Sequence, residues 1–154
     1  MRKNSSNGSS DNWTAQSFPT DDLRVVTTLG TIHDANQRSS ISIGSPNQYV
    51  YCEFSVNGGA IGEYNGNAWK TLANVPSMAL ARNDTIELRR WGTLIYIIHN
   101  GSTRMTANSS QGIGPNYRRV NLSVRRDSNI FGTYWSPTYE EVKVGRHKPS
   151  TAYN

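Results

Sequence analysis

Apolar and polar residues alternate along much of the chain with a period of two, the spacing of a β-strand that has one buried face. The clearest example is residues 118–126, where aliphatic side chains are predicted to point inward: Val120, Leu122 and Val124. The residues between them are polar and are predicted to point outward: Arg119, Asn121, Ser123 and Arg125. This segment therefore predicts a strand that lies on the surface of a core.

Similar patterns recur from residue 22 to residue 146, and no segment carries the apolar stripe of an amphipathic helix. The predicted strands are 22–30, 39–45, 48–56, 58–66, 67–75, 84–91, 94–99, 102–107, 118–126, 128–135 and 138–146. Asn65-Gly66 and Asn100-Gly101 predict tight hairpin turns, because both residue types tolerate a positive φ. Short strands with such turns favour an all-β fold, a two-sheet antiparallel sandwich.

The length of 154 residues suits a single domain. We expect the sandwich to occupy residues 22–146, with a polar N-terminal arm over residues 1–21 and a tail over residues 147–154. The arm begins with a Ser-, Asn- and Gly-rich stretch that cannot bury enough apolar area to fold alone. It should therefore be extended, and either flexible or docked on another surface.

The predicted strand 94–99 is unusual because both of its faces are apolar. Leu94, Tyr96 and Ile98 share one face, and Ile95 and Ile97 share the other. One sandwich core covers one face, so the second must be covered by a loop such as residues 108–117, by the arm or by another chain. We therefore predict an assembly interface, with a homo-oligomer as its simplest form. Its candidate residues are Leu94, Tyr96, Ile98, Arg119 and Arg125.

The formal net charge is +5, although only 18% of the residues are charged. A weakly charged, polar surface with scattered aromatic residues is more typical of adhesins and virion components than of cytosolic enzymes. The single cysteine, Cys52, leaves no internal disulfide. We find no secretion signal and no apolar run long enough to cross a bilayer, so we expect no membrane insertion.

Residue patterns for catalysis, cofactors and metals are absent: there is no nucleophile elbow, zinc-protease, phosphate-loop or Cys-x-x-Cys motif. His33, His99 and His147 lie far apart, so we predict no metal site and no cofactor. Glu140 and Glu141 are adjacent and point to opposite faces of a strand, which disfavours the paired carboxylates of a glycan hydrolase. We expect a protein that is not an enzyme, with a glycan hydrolase as the less favoured alternative.

Aromatic residues near predicted turns are the candidate ligand contacts, because sugar rings stack their C–H groups on exposed aromatic faces. The predicted glycan-binding residues are Trp91, Arg89, Asn100, Tyr134 and Trp135. Trp91 leads this set, so Trp91→Ala is expected to abolish binding. We expect Trp69, which follows the Asn65-Gly66 turn, to pack against the sandwich or a neighbouring subunit instead.

The outward Arg119 and Arg125 form a basic stripe with two open interpretations. The stripe could contact an anionic glycan, a phosphate or an acidic neighbouring subunit. It could equally be a solvated face that limits aggregation at a sheet edge. Nucleic-acid binding is not expected, since no aromatic residues are interleaved with these arginines.

Three segments in this order resemble a known family. They are YVYCEFSVNGGAIGEYNGNAWKTLANV, NDTIELRRWGTLIYIIHNGSTRMT and RRVNLSVRRDSNIFGTYWSPTYEEVKVG. The chain resembles the concanavalin-like jelly-roll domains of minor tail proteins from phages that infect mycobacteria and related actinobacteria, over roughly residues 22–146. Asn83 stands where that family usually has Gly before the Asp-Thr-Ile segment.

The resemblance implies a jelly-roll sandwich and a location in the virion, after synthesis in the host cytoplasm. It implies a structural minor tail protein that contacts other virion proteins and can attach to host envelope glycans. The alternative is a surface decoration protein of the capsid, in which the arm and the apolar face bind the lattice.

Overall fold

Twelve strands and a single short 3₁₀ turn, Pro115–Tyr117, make up the described part of the chain in a computed structural model, which covers residues 8–33 and 36–146. The strands are Gly8–Trp13 (β1), Leu23–Leu29 (β2), Ser39–Ser45 (β3), Gln48–Ser55 (β4), Gly58–Tyr64 (β5), Trp69–Val75 (β6), Thr85–Trp91 (β7), Leu94–His99 (β8), Ser102–Asn108 (β9), Arg119–Asn129 (β10), Gly132–Trp135 (β11) and Tyr139–Arg146 (β12). None of these residues belongs to a helix long and apolar enough to cross a membrane.

The strands form two antiparallel sheets, which confirms the predicted all-β sandwich. The seven-stranded sheet has the order β1-β10-β3-β4-β5-β6, and β11 pairs with residues 126–129 of β10. The five-stranded sheet has the order β12-β2-β7-β8-β9. The edge strands β6 and β9 contact each other, so the sheets approach along that side.

The core lies between the sheets and is built from alternate residues of both. The predicted inward residues of β10, Val120 and Val124, are buried, and Leu122 packs against the core. The fully buried aliphatic residues on the inner faces include Leu23, Val25, Ile41, Ile43, Ile61, Ile86, Leu88, Ile95 and Ile97. Phe54 meets Tyr139 edge to face, with ring centroids 6.1 Å apart, where β12 joins the sandwich.

Positive φ angles at the predicted turns follow the residue types. Asn100 (φ 48°) and Gly101 (φ 81°) form the tight turn between β8 and β9. Asn83 also has a positive φ, 70°, at the position where the resembling family has Gly. The turn at Asn65-Gly66 is longer than predicted, because the Asn65 side-chain oxygen accepts the amides of residues 67 and 68, at 2.9 Å each, and β6 begins only at Trp69.

The two apolar faces of β8 have different environments. Ile95 and Ile97 point into the core, whereas Leu94 on the outer face is 38% exposed and Ile98 is buried. Ile98 lies opposite Glu87 in the ladder, and the Glu87 carboxylate pairs with Arg24 and Arg89. An ion cluster on the same sheet therefore lies beside Ile98, and Leu94 stays open to solvent.

Part of the predicted N-terminal arm is a strand of the sandwich. Gly8–Trp13 pairs with β10, and the amides of Thr14 and Phe18 then donate to the carbonyls of Val120 and Arg118. The described part of the arm is thus docked on the chain's own sheet. Residues 1–7 and the predicted tail 147–154 lie outside the described residues. Backbone hydrogen bonds hold this polar segment, since the edge of β10 offers unpaired peptide groups.

Arg90 is a fully buried arginine at the end of β7 that connects three loop carbonyls. Its Nε donates to the carbonyl of Gly92 at 2.9 Å. Its Nη1 and Nη2 donate to the carbonyls of Gly112 at 3.2 Å and Ser109 at 2.9 Å. Arg90 therefore ties the loop that follows β9 to the end of the sandwich.

Nearby acidic side chains stabilise the positive charge of Arg90. Burial lowers the pKa of Arg90 to about 10, while the negative charges of Asp21, Asp22 and Glu63 act in the opposite direction. The side chain thus remains a cation at neutral pH inside the protein. Removing this buried cation is therefore expected to destabilise the fold strongly. The three carbonyls would lose their hydrogen-bond donor, and the nearby acids would lose their counter-charge.

A second polar anchor lies where β7 begins. One oxygen of the Asp84 carboxylate accepts the amide of Ala81 at 2.9 Å and lies 2.8 Å from Nε2 of His99. Burial acts to raise the pKa of Asp84, but hydrogen bonds from the Asn100 and His99 side chains and the Ala81 amide outweigh it, and the net pKa is lowered.

We expect Arg90→Met to lower the free energy of unfolding by about 3 kcal/mol, because three buried carbonyls lose their donor. Urea unfolding followed by fluorescence measures the change. Arg82→Ala is the matched control, since Arg82 is exposed and forms only a surface ion pair with Glu140 at 3.3 Å. Equal stability of the two variants would contradict the anchoring role.

We expect Asp84→Asn to lower the free energy of unfolding at neutral pH by about 1 kcal/mol. The pKa of Asp84 in the folded protein lies below 3.8, so its contribution is present above that pH and is lost as the pH falls through the folded-state pKa. The difference between parent and variant should therefore shrink in acid. Unfolding curves at several pH values test this, and a difference independent of pH would refute it.

Candidate functional site

A groove crosses the outer face of the seven-stranded sheet, and its floor consists of small polar side chains. Strand register aligns Asn121, Ser42 and Tyr51 in one row, and Ser123, Ser40 and Glu53 in the next. Ser42, Asn121 and Ser123 are buried at the bottom. Two adjoining depressions of about 380 and 310 Å³ share Ser40, Glu53 and Ser123, and we call them together the groove. Depressions of this size suit small organic ligands.

Large aromatic side chains form one half of the groove, which we call the aromatic half: Tyr49, Tyr51 and Trp69, with Asp11 beside them. Trp69 is 66% exposed. Its Nε1 donates to the Tyr49 hydroxyl at 3.0 Å, and its ring stacks on Tyr64 with a centroid distance of 4.6 Å. One ring face is thus held against the sheet edge, and the indole is fixed in orientation.

The Tyr51 ring lies over β5 because residue 62 is glycine. A Cβ at Gly62 would collide with the outer end of the Tyr51 ring. Burial raises the pKa of Tyr51 to about 12, and the charge of Glu53 adds to the shift. Tyr51 is therefore a neutral phenol that forms part of the wall at neutral pH.

The other half, which we call the ionic half, is walled by two ion pairs. Arg38 Nη1 donates to Glu53 at 2.9 Å, and Arg125 Nε donates to Asp127 at 2.8 Å. Gln37 also donates to Asp127, at 3.3 Å. The hydrogen bond from Arg125 is the main reason that the pKa of Asp127 is lowered. This half thus presents closely spaced donors and acceptors.

No group of three or more His, Cys, Asp or Glu side chains is placed to hold a metal ion within residues 8–33 and 36–146. What the groove offers is a fixed aromatic surface at one end, small hydroxyl and amide groups on the floor, and paired charges at the other end. Such a surface matches a ligand that has an apolar face and many hydroxyl groups along its rim.

The residues predicted from sequence to bind a glycan do not come together in one place. Trp91 and Arg89 lie on the outer face of the five-stranded sheet. Asn100 lies at the opposite end of β8, where its side-chain oxygen accepts the Thr85 amide at 2.8 Å. Tyr134 and Trp135 lie in β11, on the other sheet. A ligand-binding role for these residues stays a prediction.

The residues predicted for an assembly interface also divide between two surfaces. Leu94, Tyr96 and Ile98 are on the outer face of the five-stranded sheet. Arg125 lines the groove on the seven-stranded sheet, and the Arg119 guanidinium lies 6.0 Å from the Trp13 ring. An oligomer built on these residues stays a prediction, and it would need two separate contact surfaces.

Sequence reasoning did not single out the groove. The outward direction of Tyr49, Tyr51 and Glu53 follows from the alternation in β4. Two outward tyrosines on one strand were the available signal. Trp69 is predicted to pack against the sandwich or a neighbouring subunit. In the structure its side chain is 66% exposed, and it contacts Tyr49 and Tyr64 on the outer face of the sheet.

No protein-family model and no curated protein matches this sequence. The fold does match solved structures. One is a carbohydrate-binding module, CBM66 from Bacillus subtilis, with a TM-score of 0.69 and 11% identity over 91% of this chain and 83% of that chain. Another is a double variant of human galectin-16, with a TM-score of 0.63 and 12% identity over 88% of this chain and 95% of that chain.

A third neighbour is a β-glucanase from Bacillus licheniformis, with a TM-score of 0.57 and 14% identity over 89% of this chain and 71% of that chain. Identities this low show the fold alone. The concanavalin-like jelly-roll sandwich implied by the sequence resemblance is therefore confirmed. The phage context rests on the sequence resemblance only.

We expect Glu53→Gln to lower the pKa of Tyr51 from its value of about 12, because the nearby negative charge that disfavours the phenolate is removed. Ultraviolet titration measures it, with Tyr51→Phe identifying the Tyr51 transition. Glu141→Gln, on the exposed edge strand β12, is the control. An unchanged Tyr51 titration in Glu53→Gln would contradict the arrangement of the groove.

Proposed function

We propose that this protein is a non-enzymatic glycan-binding domain whose ligand lies in the groove. The single observation that carries the proposal is Trp69, a 66% exposed indole held by Tyr49 and Tyr64 at the edge of a polar depression. An exposed tryptophan with two specific partners is preordered for contact. Binding then costs little side-chain entropy, which is what an effective recognition residue needs.

Stacking explains the aromatic half. The face of an indole ring is electron-rich, so it attracts the polarised C–H groups on the apolar side of a sugar ring. The stacking of Trp69 on Tyr64 covers one face and leaves the other for the ligand. The Tyr49 and Tyr51 side chains continue the aromatic surface toward the floor.

Hydrogen bonding explains the floor and the ionic half. A sugar hydroxyl both donates and accepts, so it pairs best with a donor and an acceptor placed side by side. The pairs Arg38–Glu53 and Arg125–Asp127 each supply both within one contact. Hydrogen bonds to charged groups are also stronger than neutral ones. The rim of a sugar ring is therefore matched to this half of the groove.

The structural neighbours support this proposal, since they include a carbohydrate-binding module and galectins. A hydrolytic role is less favoured, although a β-glucanase shares the fold. A glycosidase needs one carboxylic acid with a raised pKa. The pKa of Asp127 in the groove is lowered instead, and Glu53 is paired with Arg38. These contacts suit binding more than proton transfer.

A virion location, with the protein in the tail or as a capsid decoration, remains a prediction from the sequence resemblance. Glycan binding is consistent with the tail alternative, in which the protein contacts host envelope glycans.

The test compares two exposed tryptophans on opposite outer faces. We expect Trp69→Ala to weaken glycan binding by about tenfold or more, because truncating a central aromatic anchor typically costs about 2 kcal/mol or more and about 1.4 kcal/mol is already tenfold. Trp91→Ala, which removes a 44% exposed tryptophan from the five-stranded sheet, should bind as the parent does. Glycan arrays followed by calorimetry measure the affinities, and circular dichroism checks folding.

The reverse result, with binding lost in Trp91→Ala and retained in Trp69→Ala, would place the ligand on the face predicted from sequence. Absence of glycan binding by the parent protein would overturn the proposed function. Release of reducing sugar by the parent protein would restore the hydrolase alternative.

A further inference from the structure

We infer that the groove selects uncharged oligosaccharides and rejects glycans that carry carboxylate or sulfate groups. This inference rests on the proposed function and names the class of ligand that the site takes. It runs against the charge of the whole chain, which is +5 and by itself favours anionic partners.

The local charge of the groove is opposite in sign to that of the chain. Its lining contains two cationic side chains, Arg38 and Arg125, and three carboxylates, Asp11, Glu53 and Asp127. The formal charge of the lining is therefore negative by one. A ligand responds mainly to the nearest charges, since more distant ones are screened by salt.

Both arginines of the groove are already engaged. Arg38 donates to Glu53 at 2.9 Å and Arg125 donates to Asp127 at 2.8 Å. An anionic ligand would have to compete with a carboxylate for each guanidinium, and it would approach that carboxylate while doing so. An uncharged hydroxyl can instead bond to the pair without separating it.

The aromatic half has a carboxylate and no cation. Asp11 lines this half, and none of the ion pairs among the described residues includes it. Its carboxylate accepts a hydrogen bond from the side-chain amide of Asn121 at 3.4 Å. A carboxylate or sulfate on a ligand in the aromatic half would therefore be repelled by the Asp11 carboxylate.

The tyrosines of the aromatic half lie within reach of the charges of the nearby carboxylates. Burial raises the pKa of Tyr49, and the charge of Asp11 raises it further, although the hydrogen bond from Trp69 acts the other way. Burial and the charge of Glu53 raise the pKa of Tyr51. Burial is the largest cause of both shifts, and the negative charges of Asp11 and Glu53 act in the same direction at the place where the sugar ring would stack.

Arg119 is the next cation along the outer face, and it does not line the groove. Its guanidinium lies over the Trp13 ring at 6.0 Å, and its Nε donates to the Thr14 carbonyl. This arrangement directs it toward the edge strand β1. The basic stripe that the sequence predicted is therefore divided: Arg125 is paired inside the groove, and Arg119 is packed on an aromatic ring.

The experiment uses matched oligosaccharides that differ only in charge: a neutral form, the same backbone oxidised to a uronic acid, and the same backbone sulfated. We expect the neutral form to bind at least about tenfold more tightly than either anionic form at low salt, because like charges at close range are strongly repelled. Added salt should narrow the gap by screening that repulsion.

Asp11→Asn should reduce the difference in affinity between the neutral and anionic forms by several-fold, because it removes one negative charge from the lining and keeps the shape of the side chain. Glu141→Gln is the matched control, since it removes one negative charge from the edge strand β12 of the other sheet. It should leave the preference unchanged.

Tighter binding of a uronate or a sulfated form than of the neutral form would overturn this inference and leave the proposed glycan-binding function standing. Failure of the parent protein to bind any of these forms would overturn the proposed function together with the inference.

Discussion

The apolar layer shared by the two sheets is the constraint on which the rest of the structure depends. Most strands commit alternate side chains to that layer, so the residues between them face outward and need not be apolar. In β3 the inward positions are Ile41 and Ile43, and the outward positions between and beside them are small serines such as Ser42. The groove exists because small outward residues lie between strands that carry large ones.

Several arginines of this protein are engaged by nearby carbonyls or carboxylates and are not free on the surface. Arg90 is buried and ties the loop after β9 to the end of the sandwich through backbone carbonyls. Glu87 forms ion pairs with two arginines on the outer face of the five-stranded sheet. On the outer face of the seven-stranded sheet, each arginine in the ionic half of the groove has its own carboxylate. A positive chain can thus present a local surface that is not positive.

The strand pattern was predictable from sequence because alternation is local: neighbours in the chain decide which residues of β4 or β10 point inward. The groove could not be predicted in this way, since Trp69 depends on Tyr49, which lies 20 residues earlier in the chain and reaches it through strand pairing. The first strand, Gly8–Trp13, was missed for a related reason. It is held by peptide groups, which leave no signature in side-chain types.

Cys52 sits at the middle of the inner face of β4, between Ile41 and Ile61 in the ladder, with no exposed surface. Burial raises the pKa of its thiol, so both the reactive thiolate and the access of a reagent are suppressed in the folded state. Because it is the sole cysteine of the chain, its modification is a specific probe for the opening of the sandwich. The rate at which an alkylating reagent modifies it reports how often the two sheets come apart.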